Sequence, residues 1–452
     1  MNIELIPSAK RLIRSLRDIG YEFVDAVADV VDNAIEAEAT VISVGLKFEG
    51  IDSYLTIADN GVGMASKEIQ EALRFGSTRK YADENDLGRY GLGLKTASLS
   101  QAEKLTVSAR RGEERARINS YCWDLNHIEK TNRWEILKIE TCDLKDEVRE
   151  HLHQTTGTVV TWERLGRLLG YKYPTGEHAK KHADLMVDSL RTHLGMIFHR
   201  FLSGEIYGKR IAIYINNTRI SPWDPYSRGE ENTQKMEPIS IPLDYEDGIY
   251  NVKIQPYILP PQALYSSAKA HVAASGPGKW NKQQGLYVYR SNRIIQAGGW
   301  SGLRTSDEHT KLIRIAVFIP PQLDEIFQVN VAKKQATLPR QLRSNLLKLI
   351  SPAIQCAQER YREKTLNVSF FDRNEASISQ KKLQFNSRKN SSQSKINAEQ
   401  LTKLLKNLPI DLQKTTSVDQ LKKIFIEFQQ ALNLEEREIF IKMINKYLSK
   451  SA

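Results

Sequence analysis

The segment from residue 22 to residue 37 constrains the fold more than any other part of the chain, because it carries two stripes of side chains at helical spacing. One stripe is apolar and has the period of a buried helical face: Val24, Val27, Ala28, Val31 and Ile35. The other is polar: Asp25, Asp29, Asp32, Asn33 and Glu36. The polar stripe is either a solvated surface or a functional face, on which a carboxylate orients water beside an amide oxygen that coordinates a divalent ion.

Two glycine-containing segments follow this predicted helix. The first, Asp59-Asn60-Gly61-Val62-Gly63-Met64, comes directly after a predicted strand over residues 54–58. Its glycines permit a tight turn that a flat ring can approach. Its aspartate can accept a hydrogen bond from an exocyclic amine such as that of adenine. The second segment, residues 88–97, has glycines at 88, 91 and 93 that free main-chain N–H groups to face phosphates, and Lys95 adds positive charge. It is neither a Walker A loop nor a dinucleotide-binding GxGxxG sequence.

The three segments, in this order and at this spacing, resemble the GHKL ATPase superfamily. That superfamily includes type II topoisomerase ATPase subunits, large heat-shock chaperones, histidine kinases and the MutL and MORC proteins. Its first motif, E-L-V-D-N-S/A-I-x-A, is matched by residues 29–37, its adenine motif by residues 59–64, and its lid motif by residues 75–78 and 88–97. A closing motif is matched by residues 157–160. The resemblance covers residues 8–165 and implies an α/β fold, an α+β two-layer sandwich.

The resemblance also implies that the chain binds ATP with Mg²⁺. Asn33 is then the magnesium ligand and Asp59 the adenine acceptor. The other expected nucleotide contacts are Gly61, Gly63, Met64, Ser77, Thr78, Gly88, Tyr90, Gly91, Gly93, Leu94, Lys95, Thr96 and Thr158. Asp29 stands where the family usually has its catalytic glutamate and is one methylene shorter. A displacement of roughly 1.5 Å from the attacking water can cost about 10²-fold in rate, so slow hydrolysis is expected.

Residues 171–365 resemble the transducer domain of MORC-like and MutL-like ATPases, most clearly over residues 213–225 and 285–300. Lys333, in the sequence VNVAKK, resembles the transducer lysine that reaches the γ-phosphate in MutL, with Lys334 as the alternative. We therefore expect four parts. These are a GHKL ATP-binding domain over 1–170, an α/β transducer domain over 171–365, a basic flexible linker over 366–398 and a short helical C-terminal region over 399–452.

Positive charge is concentrated near the C-terminal end. Residues 376–452 hold 14 Lys and Arg against 7 Asp and Glu, a net charge of +7 out of +11 for the whole chain. Such a segment is either a solvated basic tail or a nucleic-acid contact. By resemblance, ATP binding produces a homodimer, and we expect the closed dimer to clamp double-stranded DNA. Prokaryotic relatives suggest a role in defence against foreign DNA, with a nuclease or helicase as partner.

The composition argues against several other classes of protein. No apolar run approaches the roughly 18 residues of a membrane helix, and the N-terminal residues lack an apolar signal segment. Cys122, Cys142 and Cys356 are widely spaced, which fits reduced cytoplasmic thiols and argues against zinc or a disulfide framework. Two alternatives to the clamp remain. One is a nucleotide-sensing scaffold that does not hydrolyse ATP, favoured by Asp29, and the other is a chaperone-like ATPase acting on polypeptide.

Overall fold

The fold is described from a computed structural model of the chain. It covers residues 7–18, 21–76, 93–112, 117–246, 248–329 and 336–385, with side chains to residue 362. Residues 1–372 form one compact unit and residues 373–452 a second, of which only helical backbone to residue 385 is described. The account below concerns the first unit.

The first unit begins with a mixed sheet of eight strands, ordered β5-β4-β3-β6-β2-β1-β7-β8. All neighbouring pairs are antiparallel except β1 and β7, which run parallel. The strands are β1 (Val41–Lys47), β2 (Tyr54–Asp59), β3 (Lys104–Arg110), β4 (Asn119–Asp124), β5 (Leu137–Lys138), β6 (Gly157–Glu163), β7 (Ala212–Ile215) and β8 (Thr218–Arg219). The last two strands extend this sheet with residues from beyond position 170.

Helices cover both faces of the first sheet. Those before β7 are α1 (Ala9–Arg17), α2 (Phe23–Glu36), α3 (Ser66–Leu73), α4 (Gly93–Gln101), α5 (Leu125–Thr131), α6 (Asp146–Gln154), α7 (Gly166–Leu169), α8 (Glu177–Ile197) and α9 (His199–Ser203). Helix α2 packs against α4 and β2. Leu55 and Ile57 of β2 join the α2 core, whereas Ala58 packs with Val148 and Leu152 of α6. Since successive strand residues face opposite sides of a sheet, α2 and α6 lie on opposite faces.

The second sheet holds β10 (Ile239–Tyr245), β11 (Gly248–Ile258), β14 (Ile313–Ile319), β12 (Gly285–Arg290) and β13 (Arg293–Ala297), in that order, with β9 (Gln234–Lys235) paired to β11. Helices α10 (Ala268–Ala274) and α11 (Lys279–Gln283) precede β12, and α12 (Arg340–Phe385) follows β14. One side of α12 packs on this sheet through Leu342, Leu346, Ile350, Ile354 and Ala357. These residues recur every three or four positions, as expected for a helix with one apolar face.

The two sheets share a core. Tyr287, Tyr289 and Ile294 of the second sheet belong to the same buried cluster as α2 and the first sheet. Helix α8 contacts both α2 and β13 and so lies at their junction. The three aspartates of the polar stripe of α2 are not solvated, since Asp25, Asp29 and Asp32 are each less than 7% exposed, whereas Asn33 and Glu36 are exposed.

The expected mixed α/β fold of an ATPase domain is confirmed, and the helix predicted over residues 22–37 forms as Phe23–Glu36. None of the helices in the described ranges has both the length and the apolar character needed to cross a membrane. The helices expected over 399–452 lie outside the described residues.

Candidate functional site

The carboxylate of Asp29 is held from two sides. The Tyr21 hydroxyl donates to Oδ2 at 3.0 Å, and the Arg293 guanidinium donates from Nη1 to Oδ1 at 3.3 Å. The same Nη1 also donates to Asp32. Asn33, one turn beyond Asp29, is exposed. The stripe predicted from helical periodicity therefore divides into buried, ion-paired aspartates and an amide that remains accessible.

Asp59 ends β2 and is fixed by main-chain donors. Its Oδ1 accepts hydrogen bonds from the N–H of Gly61 at 2.8 Å and from the N–H of Thr158 at 3.2 Å. His151 of α6 donates from Nε2 to the main-chain carbonyl of Asp59 at 2.9 Å. Burial raises the pKa of Asp59 to about 6, against the opposing effect of the two N–H donors. The carboxylate is thus positioned with Oδ1 engaged by the protein backbone.

Glycines build the turn around Asp59 because the backbone segments approach too closely for side chains. A Cβ on Gly61 would lie 2.4 Å from the carbonyl oxygen of Ala37, at the end of α2. A Cβ on Gly63, where φ is +67°, would lie 2.0 Å from the carbonyl oxygen of Arg110. A Cβ on Gly157, where φ is +135°, would lie 1.9 Å from the carbonyl oxygen of Asp59. These glycines therefore let the 59–64 turn pack directly against neighbouring backbone, which holds Asp59 in place.

Helix α4 starts beside Asp29. A Cβ on Gly93 would lie 3.5 Å from Asp29 Oδ2, so the missing side chain leaves a space of about one methyl group next to the carboxylate. Thr96 is buried, and Leu94 packs against the core. The site is therefore bordered by α2, the 59–64 turn, the start of β6 and the start of α4.

Lys95 differs from the expectation that its charge faces phosphates. Its ammonium nitrogen donates to the carbonyl oxygens of Ala72 at 2.9 Å and Arg74 at 2.8 Å, and it lies 5.9 Å from the centre of the Phe75 ring. Burial lowers the pKa of Lys95 to about 8. The physical reason for the difference is that α3 ends with main-chain carbonyls that lack helical partners, and the ammonium satisfies two of them.

Several predicted contacts fall outside the described residues: Ser77, Thr78, Gly88, Tyr90, Gly91 and Lys333. Within the described ranges Asp29, Gly93 and Thr96 lie together where α2 packs against α4, and Asn33 lies one turn beyond Asp29 on α2. The structure brings together Asp59, Gly61, Gly63 and Thr158 around the turn, with Met64 packed beside the core. No group of three or more His, Cys, Asp or Glu side chains suited to hold a metal occurs among those residues.

Sequence reasoning missed Tyr21, His151 and Arg293 as parts of the site. The one signal for Arg293 was indirect. Three aspartates on one face of a helix that also has an apolar face can be buried only if a cation compensates them. Nothing in the local pattern identifies that cation, because Arg293 follows Asp29 by 264 residues.

Comparisons with known proteins agree on the first domain. Residues 21–158 match the family described as "Histidine kinase-, DNA gyrase B-, and HSP90-like ATPase". The ATPase morc-1 of Caenorhabditis elegans is 31% identical over 86 residues, 19% of this chain and 10% of that protein. The DNA mismatch repair protein MutL of Kosmotoga olearia is 33% identical over 87 residues, 18% of this chain and 14% of MutL. ATPase MORC2B of Mus musculus is 38% identical over 78 residues, 16% of this chain and 8% of that protein. The chain thus spans at most about a seventh of the length of these three relatives.

Proposed function

Because residues 21–158 form a domain of the histidine kinase-, DNA gyrase B- and HSP90-like ATPase family, we propose that this chain binds ATP in the cleft bordered by α2, the 59–64 turn and the start of α4. The observation that carries the proposal is the fixed carboxylate of Asp59. Its hydrogen bonds to Gly61 and Thr158 both use Oδ1, which leaves Oδ2 oriented by the backbone to accept from the adenine amine. The glycines around it let the turn pack closely enough to hold that orientation.

Asn33 and the start of α4 serve the phosphate end of the nucleotide in this proposal. The exposed amide of Asn33 would hold Mg²⁺, which when bound neutralises charge on the phosphates. The main chain of residues 88–93 would supply N–H donors to those phosphates, as the glycine content of this segment favours. This proposal does not use the charge of Lys95, whose ammonium donates to carbonyl oxygens at the end of α3.

Asp29 would act as the general base that orients the attacking water. Tyr21 and Arg293 fix its carboxylate, and Gly93 brings no side chain against Oδ2. Steady-state phosphate release should fall at least about 10²-fold in Asp29→Ala, while ATP affinity is retained. Asn33→Ala should weaken ATP binding in the presence of Mg²⁺ more than in its absence. Normal turnover by Asp29→Ala would assign the base to another residue.

A nucleotide sensor that does not hydrolyse ATP is the second candidate, and one observation favours it. Asp29 is only 3% exposed and is bound by an arginine, which reduces the access of its carboxylate to water. Single-turnover measurements with a stoichiometric amount of labelled ATP separate the two candidates. An ATPase releases phosphate from the bound nucleotide, and a sensor returns intact ATP after denaturation.

DNA is the partner that charge and relatives support best, and we propose that ATP-driven homodimers hold it. One relative is a DNA mismatch repair protein, and residues 376–398 contain five Lys and Arg and no acidic residue. Changing these five residues to Gln in the full chain should weaken binding to double-stranded DNA. It should also reduce the slope of log K against log salt by up to about 4, because fewer counterions are released. An unchanged affinity and slope would remove this segment from the DNA contact.

A further inference from the structure

Three buried aspartates on α2 lie against two side chains from elements beyond residue 170. His193 of α8 has its Nε2 3.2 Å from Asp25 Oδ1. Arg293, at the start of β13, pairs with both Asp29 and Asp32. Arg293 is 2% exposed, and its guanidinium stacks over the Phe198 ring at 5.7 Å. Two of the three buried aspartates of α2 are therefore paired with an arginine carried by the second half of the compact unit.

Arg293 keeps its charge in this environment. Burial opposes the charged form, but Asp32, Asp29 and Asp25 together raise the pKa of Arg293 above its ordinary value. A buried cation between carboxylates is strongly held, because removing either partner leaves an uncompensated charge. The pairing is thus a firm link between β13 and α2.

The neighbouring arginine shows what a purely structural pair in this hairpin looks like. Arg290 is the cross-strand partner of Arg293 and is similarly buried. Its Nε lies 3.0 and 2.8 Å from the two carboxylate oxygens of Asp324. Asp324 comes shortly after β14, a strand of the same sheet. Arg293 instead pairs with Asp29 of α2, whose carboxylate borders the proposed nucleotide site.

We propose that Arg293 is a positioning residue for the ATPase reaction, which orients the Asp29 carboxylate and makes that orientation depend on the second sheet. The proposal rests on the assignment of Asp29 under "Proposed function". Arg293 holds Oδ1 and Tyr21 holds Oδ2, so the plane of the carboxylate is fixed by two donors from different elements. A displacement of β13 against α2 would release one of these two constraints and misalign the base.

The test compares five full-length variants with the native chain. In Arg293→Met the guanidinium is lost, and in Arg293→Lys the charge is kept but the planar fork is lost. Arg290→Met is the matched control for the loss of a buried arginine from the same hairpin. Two further variants, Asp29→Asn and the double variant Asp29→Asn with Arg293→Met, complete a double-mutant cycle. For each variant, kcat, ATP affinity by calorimetry and the thermal unfolding midpoint are measured, with single-turnover labelled ATP where kcat is low.

We expect Arg293→Met to lower kcat at least tenfold and to leave ATP affinity within threefold of native. Arg293→Lys should show a smaller decrease, about threefold, with the same unchanged affinity. In the Asp29→Asn background the Arg293→Met change should alter the residual rate less than twofold, because the residue through which it acts is already disabled. Arg290→Met should lower the unfolding midpoint and leave kcat within threefold of native.

Three results would overturn the proposal: native kcat in folded Arg293→Met, an equal loss of rate in the Asp29→Asn background, or a parallel loss of ATP affinity. If Arg293→Met does not fold, Arg293→Lys decides, and native kcat in that variant overturns the proposal. Failure of the underlying assignment is a separate outcome. If the native chain does not hydrolyse ATP, or if Asp29→Asn turns over normally, the base assignment fails whatever the Arg293 variants show.

Discussion

The ammonium nitrogen of Lys95 lies 2.9 Å from the carbonyl oxygen of Ala72, in the last turn of α3. A lysine in a glycine-rich segment of this kind is expected to contact phosphates. Here its ammonium instead donates hydrogen bonds to carbonyl oxygens at the end of α3. Gly93 and Lys95 of one short segment thus serve different purposes: Gly93 brings no side chain against the Asp29 carboxylate, and the lysine anchors the start of α4 to α3.

Lys95→Met is predicted to lower the free energy of unfolding by about 1–3 kcal/mol, because two buried carbonyls lose their donor. ATP affinity should change little. Urea unfolding and calorimetry measure the two effects. Lys104→Met is a suitable control, since Lys104 makes a partly exposed pair with Glu163 at 2.8 Å, and losing it should cost at most about 1 kcal/mol. A tenfold loss of ATP affinity with unchanged stability would show that Lys95 contacts the phosphates of ATP.

Gly157→Ala is predicted to destabilise the chain by at least about 2 kcal/mol and to impair ATP binding. The new Cβ would lie 1.9 Å from the Asp59 carbonyl oxygen at a φ of +135°, so the turn that orients the carboxylate must move. Gly112→Ala is the matched control in the same region, because among the described residues its Cβ would meet Thr156 Cγ2 alone, at 3.7 Å. Equal behaviour of the two variants would contradict the close packing at Gly157.

Stability should depend on pH through Asp59. Its pKa is about 6 in the folded chain against an ordinary value of 3.8. The folded state therefore binds the proton more tightly than the unfolded state between these values, and stability falls as pH rises through that window. At pH 7.5, Asp59→Asn should be more stable than native by up to about 2–3 kcal/mol, and near pH 4 the difference should vanish.

Asp124→Asn is expected to change the stability of the chain at pH 7.5 in the opposite direction from Asp59→Asn. Partial burial works against ionisation there, but the hydrogen bond and charge of Arg164, 2.5 Å away, lower the pKa of Asp124. Its substitution should therefore destabilise the chain at pH 7.5. Chemical unfolding of both variants at pH 4 and pH 7.5 checks the two signs, and a less stable Asp59→Asn at pH 7.5 would contradict the account of Asp59.

The sequence was sufficient to predict the elements that follow from local periodicity, and insufficient where a distant partner decides. The 3.6-residue period of α2 predicts a helix that the structure confirms within one residue at each end. The same period cannot distinguish a solvated acidic face from a buried one, because the side chains that lie against the aspartates, His193 of α8 and Arg293 of β13, are distant in the sequence. The direction of the Lys95 side chain likewise depends on the free carbonyls at the end of α3, which no local motif records.

Lys333 is predicted to sense the γ-phosphate, although it lies outside the described residues. Lys333→Ala should bind ADP normally but remain monomeric with a non-hydrolysable ATP analogue, since the link between phosphate and transducer is lost. Lys334→Ala is the control that decides between the two adjacent lysines. Light scattering measures the mass, and normal dimers in both variants would refute the role of this pair.

The most direct test of the central claim is a calorimetric titration of ATP with Mg²⁺ into the native chain and into Asp59→Asn at pH 7.5, where the variant is expected to be fully folded. Losing the charge-assisted hydrogen bond to adenine should cost about 1.5–3 kcal/mol of binding free energy, which raises the dissociation constant roughly 10- to 150-fold. We expect saturable ATP binding by the native chain and this decrease in ATP affinity in the variant. Equal affinity of the two proteins, or no binding by the native chain, would contradict it.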